Sequence, residues 1–87
     1  MIRTKENQIK ELLRNNEQAR YAFNKMISFY EMLDKLNFST HEKLIKSIYV
    51  KNDANYTWQL AIIANISERT CYRYREQYIN TFYMFFD

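Results

Sequence analysis

From Thr4 to about Leu36 the apolar residues return on a seven-residue cycle. Ile9, Asn16, Phe23 and Tyr30 mark one position of the cycle, and Leu12, Ala19, Met26 and Leu33 mark the other. These are the two seam positions of a heptad repeat, and Leu13 and Ile27 widen the stripe. The pattern predicts a long amphipathic helix with Thr4 as its cap, and Asn15-Asn16 marks where two shorter helices are the alternative. A small domain does not easily bury both edges of so long a helix. The expectation is therefore a homodimer paired through Ile9, Leu12, Phe23, Met26, Tyr30 and Leu33. Asn16 is the buried polar residue that fixes register. The alternative is a long helix packed inside one monomer.

The second half reads as three shorter helices. Asn37 ends the first element, and Phe38 precedes Ser39, a cap with Glu42 three residues on. Leu44, Ile45, Ile48 and Tyr49 supply the apolar face of that helix, and Lys43, Lys46 and Lys51 its polar side. Asn52-Asp53-Ala54-Asn55 is expected to be a loop. A helix follows over Thr57 to Ala64, and another from Glu68 to near the C-terminus. The chain contains no Gly and no Pro. That disfavours tight hairpins and favours helices joined by Asn- and Asp-based turns. The fold expected is all-α, a long N-terminal helix over 1–37 and a helix-turn-helix over 38–87, in one small domain.

The segment from Thr57 to Tyr78 carries the most local detail. Leu60, Ala61 and Ala64 share one side of a short helix, and Ala61 is small enough for a close helix crossing. Asn65 stands where the turn needs a positive φ, and Asn is the best substitute for Gly there. Ile66 is expected to plug the core. Ser67 is a good cap for the next helix, with Glu68 at the positive end of its dipole. Cys71, Tyr74 and Tyr78 then face inward, and Arg69, Tyr72, Arg73 and Glu76 outward. This is the layout of a helix-turn-helix, and the alternative is an ordinary helical hairpin with a capped second helix.

Ser67-Glu68-Arg69-Thr70-Cys71-Tyr72-Arg73 resembles the start of the recognition helix in ArpU/RinA-type phage late-gene transcriptional regulators. Tyr56-Thr57-Trp58-Gln59-Leu60-Ala61 is similar to the entry of the preceding helix there and in sigma-factor region 4. The resemblance covers about residues 38–82. It implies a small sequence-specific protein of a phage or mobile element that binds double-stranded DNA and regulates transcription. In such a reader Arg69 and Arg73 bond guanine edges, Glu68 accepts from cytosine, and Tyr72 touches a thymine methyl or a phosphate. Ser67 and Thr70 lie toward the backbone, Glu76 lines the same outward face, and Lys46 reaches a phosphate.

Charge and composition narrow this reading. The net charge is +3 and the isoelectric point about 9.0, mildly basic. One protomer neutralises few phosphates, so useful DNA affinity calls for a dimer or a partner. One Cys excludes an internal disulfide. One His, one Cys and scattered carboxylates make no metal site, and no cofactor or enzyme is expected. Neither a signal peptide nor a membrane span is visible, and the location expected is cytoplasmic. Cys71 is read as core, His41 as solvent-exposed, and Trp58 as packed on the helix begun at Ser39.

The last ten residues, YINTFYMFFD, are unusually aromatic. Tyr78, Phe82 and Phe85 extend the inward stripe, while Ile79, Tyr83 and Phe86 form a second one. That second stripe is expected to meet another protomer or a partner regulator, unless the core swallows the tail. It also supports the rival function, a protein-interaction module that binds another regulator or RNA polymerase.

Overall fold

A computed structural model describes residues 1–52, 54 and 56–87. Among the described residues there are five α-helices: α1 (Ile2–Asn15), α2 (Glu17–Leu33), α3 (Phe38–Ile45), α4 (Thr57–Ala64) and α5 (Glu68–Phe86). One 3-10 turn, Lys35–Asn37, leads into α3, and a π-helical segment, Lys46–Lys51, continues it. There is no strand among the described residues.

Asn16 decides the shape of the N-terminal half. Its backbone is extended, with φ −134° and ψ 116°, so the helix stops there. Its side chain accepts the Ala19 N–H at 3.0 Å and caps α2. The chain therefore takes the alternative of two shorter helices, and α1 and α2 pack against each other. The residue expected to set a dimer register is instead a cap.

That break turns the heptad seam inward. Ile9, Phe23, Met26 and Tyr30 are buried in one cluster with Leu44, Ile48, Leu60, Cys71, Tyr78 and Phe82. Leu12 is half-buried against the same cluster, and Leu33 points to solvent. The seam is thus occupied within the chain and does not offer Ile9, Phe23, Met26 or Tyr30 to a second copy. Ala19 and Ala22 are also buried on α2, whose main packing partner is α5. Residues 1–37 and 38–87 share this core. The radius of gyration, 12.0 Å, matches the roughly 12 Å of one compact domain of this length.

Two expected caps lie elsewhere. α1 already begins at Ile2, so Thr4 sits inside its first turn. α3 begins at Phe38 with Asn37 before it and no side-chain cap, so Ser39 and Glu42 form no capping box. Phe38 packs against the core, and Leu44, Ile45, Ile48 and Tyr49 are buried as their spacing predicts. Beyond Lys51, Asn52 takes a left-handed conformation with φ 56°. Of the loop expected over 52–55, Asp53 and Asn55 lie outside the described residues, and Ala54 is buried.

The C-terminal tail belongs to the core. α5 runs to Phe86 and buries Cys71, Arg75, Tyr78, Ile79 and Phe82. Ile79, expected at an interface, is interior. Tyr83 and Phe86 are half-buried, and Phe86 stacks on Phe82 with centroids 5.4 Å apart. Both α1 and α2 pack against α5. No helix among the described residues is long and apolar enough to cross a membrane.

Candidate nucleic-acid interface

α4 and α5 are joined by a turn built from local rules. Asn65 has φ 56° and ψ 50°, the left-handed geometry that Asn tolerates best after Gly. Its N–H reaches the Ile62 carbonyl at 3.2 Å, and the Ile66 N–H reaches Ala61 at 3.0 Å. Together these satisfy the last carbonyls of α4 in a Schellman arrangement. Ile66 is half-buried against the core. Ser67 Oγ accepts the Thr70 N–H at 3.1 Å and donates to Thr70 Oγ1 at 3.0 Å. Glu68 follows in the first turn of α5, where its charge suits the helix dipole.

The outward face of α5 is set by the burial of its inward one. Arg69, Tyr72, Arg73 and Glu76 are exposed, as are Ser67 and Glu68, while Thr70 is half-buried and engaged with Ser67. Arg69 and Arg73 stand one turn apart and form no ion pair among the described residues. The Arg73 guanidinium lies 6.0 Å from the centre of the Tyr74 ring. Lys46 is exposed on the π segment, 3.6 Å from Glu42. Lys43, Lys46 and Lys51 line one groove with Glu42, Ser47 and Ile63. A second groove, lined in part by Trp58, Ile62, Ser67 and Glu68, runs along the other side of α4.

Two buried polar clusters hold this surface in place. Arg75 donates to Glu6 from Nε at 2.9 Å and from Nη2 at 2.5 Å, and from Nη1 to Thr57 Oγ1 at 2.9 Å. Arg75 is 4% exposed and Glu6 2%. Burial works against the guanidinium charge, but the bonds and charge of Glu6 outweigh it and hold its pKa above the ordinary value. One residue thereby ties α5 to α1 and to the first turn of α4.

The second cluster surrounds His41, which is 1% exposed and not at the surface as expected. Its Nε2 lies 2.8 Å from Asp34 and its Nδ1 2.5 Å from the Tyr78 hydroxyl. The hydrogen bond from His41 holds the Asp34 carboxyl below its usual range, with Asn37 adding to it. Burial pushes the Tyr78 hydroxyl far up, so it stays protonated. With an ionised acceptor on one side, Nε2 carries a proton and donates to Asp34. In the neutral ring Nδ1 then accepts from Tyr78. Tyr30 and Tyr74 pack on the imidazole at 4.9 and 4.6 Å. The set links the end of α2, α3 and α5. With His41 and Tyr78 sealed inside the chain, its role is to position these helices.

Glu6, Thr57, Arg75, Asp34 and Tyr78 were absent from the sequence-predicted site. One signal was present for Arg75. It lies on the inward stripe Cys71-Arg75-Tyr78-Phe82, where a charge demands a buried partner. Cys71 is interior as expected, and burial raises its thiol pKa. Trp58, expected to pack on α3, is 53% exposed. No group of three or more metal-ligating side chains occurs among the described residues. Comparison with family models, curated proteins and solved structures found no match for this chain.

Proposed function

We propose that the chain is a DNA-binding transcriptional regulator of phage or mobile-element type, with α4 and α5 as its helix-turn-helix and α5 as its reading helix. The observation that carries this reading is the pair Arg69 and Arg73. Both are exposed on one face of the capped N-terminal half of α5, with no ion-pair partner among the described residues. That half of a reading helix enters the major groove. A guanidinium presented there bonds guanine O6 and N7 as a fork, worth roughly 1–3 kcal/mol of discrimination. Glu68 accepts from cytosine N4, and Tyr72 meets a thymine methyl or a phosphate. Lys46, one turn from Glu42, contributes a phosphate contact that carries no sequence information. The heptad seam plays no part, because its buried residues are spent in the core.

Selection of bound duplexes from a random pool, followed by anisotropy titrations across a salt series, tests this. Arg69→Ala and Arg73→Ala are expected to lose selectivity with the fold intact. Lys46→Ala is expected to weaken all duplexes alike and lower the salt slope by about one. Arginine variants that bind the selected duplex as tightly as the wild type would remove α5 as the reading element.

A further inference from the structure

α4 carries apolar side chains on both its buried and its exposed side, with the half-buried Gln59 between Ile62 and Ile63. Leu60, Ala61 and Ala64 are buried, yet Trp58, Ile62 and Ile63 remain 53%, 72% and 42% exposed. Trp58 and Ile62 are one turn apart and form a ridge. A helix apolar on both sides is ordinarily covered on both, and here only one side is. Ile63 faces the groove that holds three lysines, Lys43, Lys46 and Lys51, and one glutamate, Glu42. Lys46 is already paired with that glutamate. The uncovered apolar face is therefore flanked by net positive charge on its Ile63 side, while Glu68 borders its Trp58–Ile62 side.

We infer that this face docks an acidic amphipathic helix of another protein, which lays its apolar side along Trp58, Ile62 and Ile63 and its carboxylates toward the lysines. Charge selects this occupant. An acidic helix relieves the excess of lysine charge, whereas a second copy would bring its own net positive groove to the same contact. Area selects it too. Three exposed apolar side chains on an eight-residue helix suit a single helix laid in a groove better than a large subunit interface. The inference shares α4 and Lys46 with the DNA reading, but its test uses no DNA and alters Ile62, Lys43 and Lys51, so either can fail without the other.

Trp58 is the only tryptophan of the chain, so its fluorescence reports on this face alone. The probe is a synthetic amphipathic peptide of about 18 residues, five helical turns, with Leu on one face and Glu on the other. The control peptide has Lys in place of Glu. The Leu/Glu peptide is expected to shift Trp58 emission to the blue with saturation. Ile62→Ser is expected to weaken it by about tenfold or more, and Lys43→Glu with Lys51→Glu to weaken it similarly. All these side chains are exposed, and circular dichroism checks that each variant folds. Equal binding of the Leu/Lys peptide, or no saturable shift with either, overturns the inference. A blue shift that grows with protein concentration alone also overturns it, by showing that a second copy covers the ridge.

Discussion

Arg75 and Glu6, 69 positions apart in the chain, form a two-bonded ion pair in the interior. The pair closes the first helix onto the last, and the third bond of Arg75 reaches Thr57, the first residue of α4. Removing one partner leaves a buried charge alone. Glu6→Ala and Arg75→Ala are each expected to cost about 3–5 kcal/mol in urea denaturation. The double change Glu6→Leu with Arg75→Met should recover most of that loss. A double variant no better than the single ones would show that packing around the pair, and not charge, carries its effect.

The Asp34–His41–Tyr78 chain gives the protein an acid-sensitive joint. The folded-state pKa of Asp34 lies below its ordinary value of 3.8, so its contribution to stability is complete above that pH. It declines as pH falls below 3.8 and is gone below the folded value. The stabilities of wild type and Asp34→Ala are therefore expected to differ at pH 6 and to converge in strong acid. Parallel curves throughout would dissociate Asp34 from the acid transition. Tyr78→Phe leaves His41 Nδ1 without its partner and should cost roughly 1–3 kcal/mol at neutral pH.

Asn65 and Asn52 both occupy the left-handed region. Asn65→Gly is expected to be neutral or slightly stabilising, because Gly pays no steric cost there. Asn65→Ala should cost about 1–2 kcal/mol. Thermal melts of the two variants decide the matter, and an Ala variant as stable as the Gly variant would remove the conformational argument.

Phe23 meets Tyr49 edge to face at 5.6 Å within the chain. Phe23→Ala is expected to cost about 3–5 kcal/mol, by an amount independent of protein concentration. A loss that fades at high concentration would return Phe23 to a subunit interface.

The Tyr49 hydroxyl is buried without a hydrogen-bond partner among the described residues, and burial pushes its pKa far up. Tyr49→Phe should then leave stability unchanged or raise it by about 1 kcal/mol. A clear loss in denaturant titration would reveal a partner for that hydroxyl.

The all-helical fold and the bounds of α4 and α5 were legible in the chain itself. Asn65 and Ser67 act on groups at most four residues away, so their roles follow from short-range chemistry alone. The apolar stripes likewise marked Phe23, Met26 and Tyr30 of α2 and Cys71, Tyr78 and Phe82 of α5 as inward, but not Ile79. Periodicity names the face but not what covers it. The seam of Ile9, Phe23, Met26 and Tyr30 has the same spacing whether it meets another chain or its own. Only the break at Asn16 turned it inward. The same limit hid His41 and Arg75. A charged or titratable side chain is stable inside only beside its partner. The carboxylate partner of Arg75 lies 69 positions away and the Tyr78 hydroxyl 37 from His41, both brought into reach by the packing of α1, α3 and α5, while Asp34 stands only seven positions before His41.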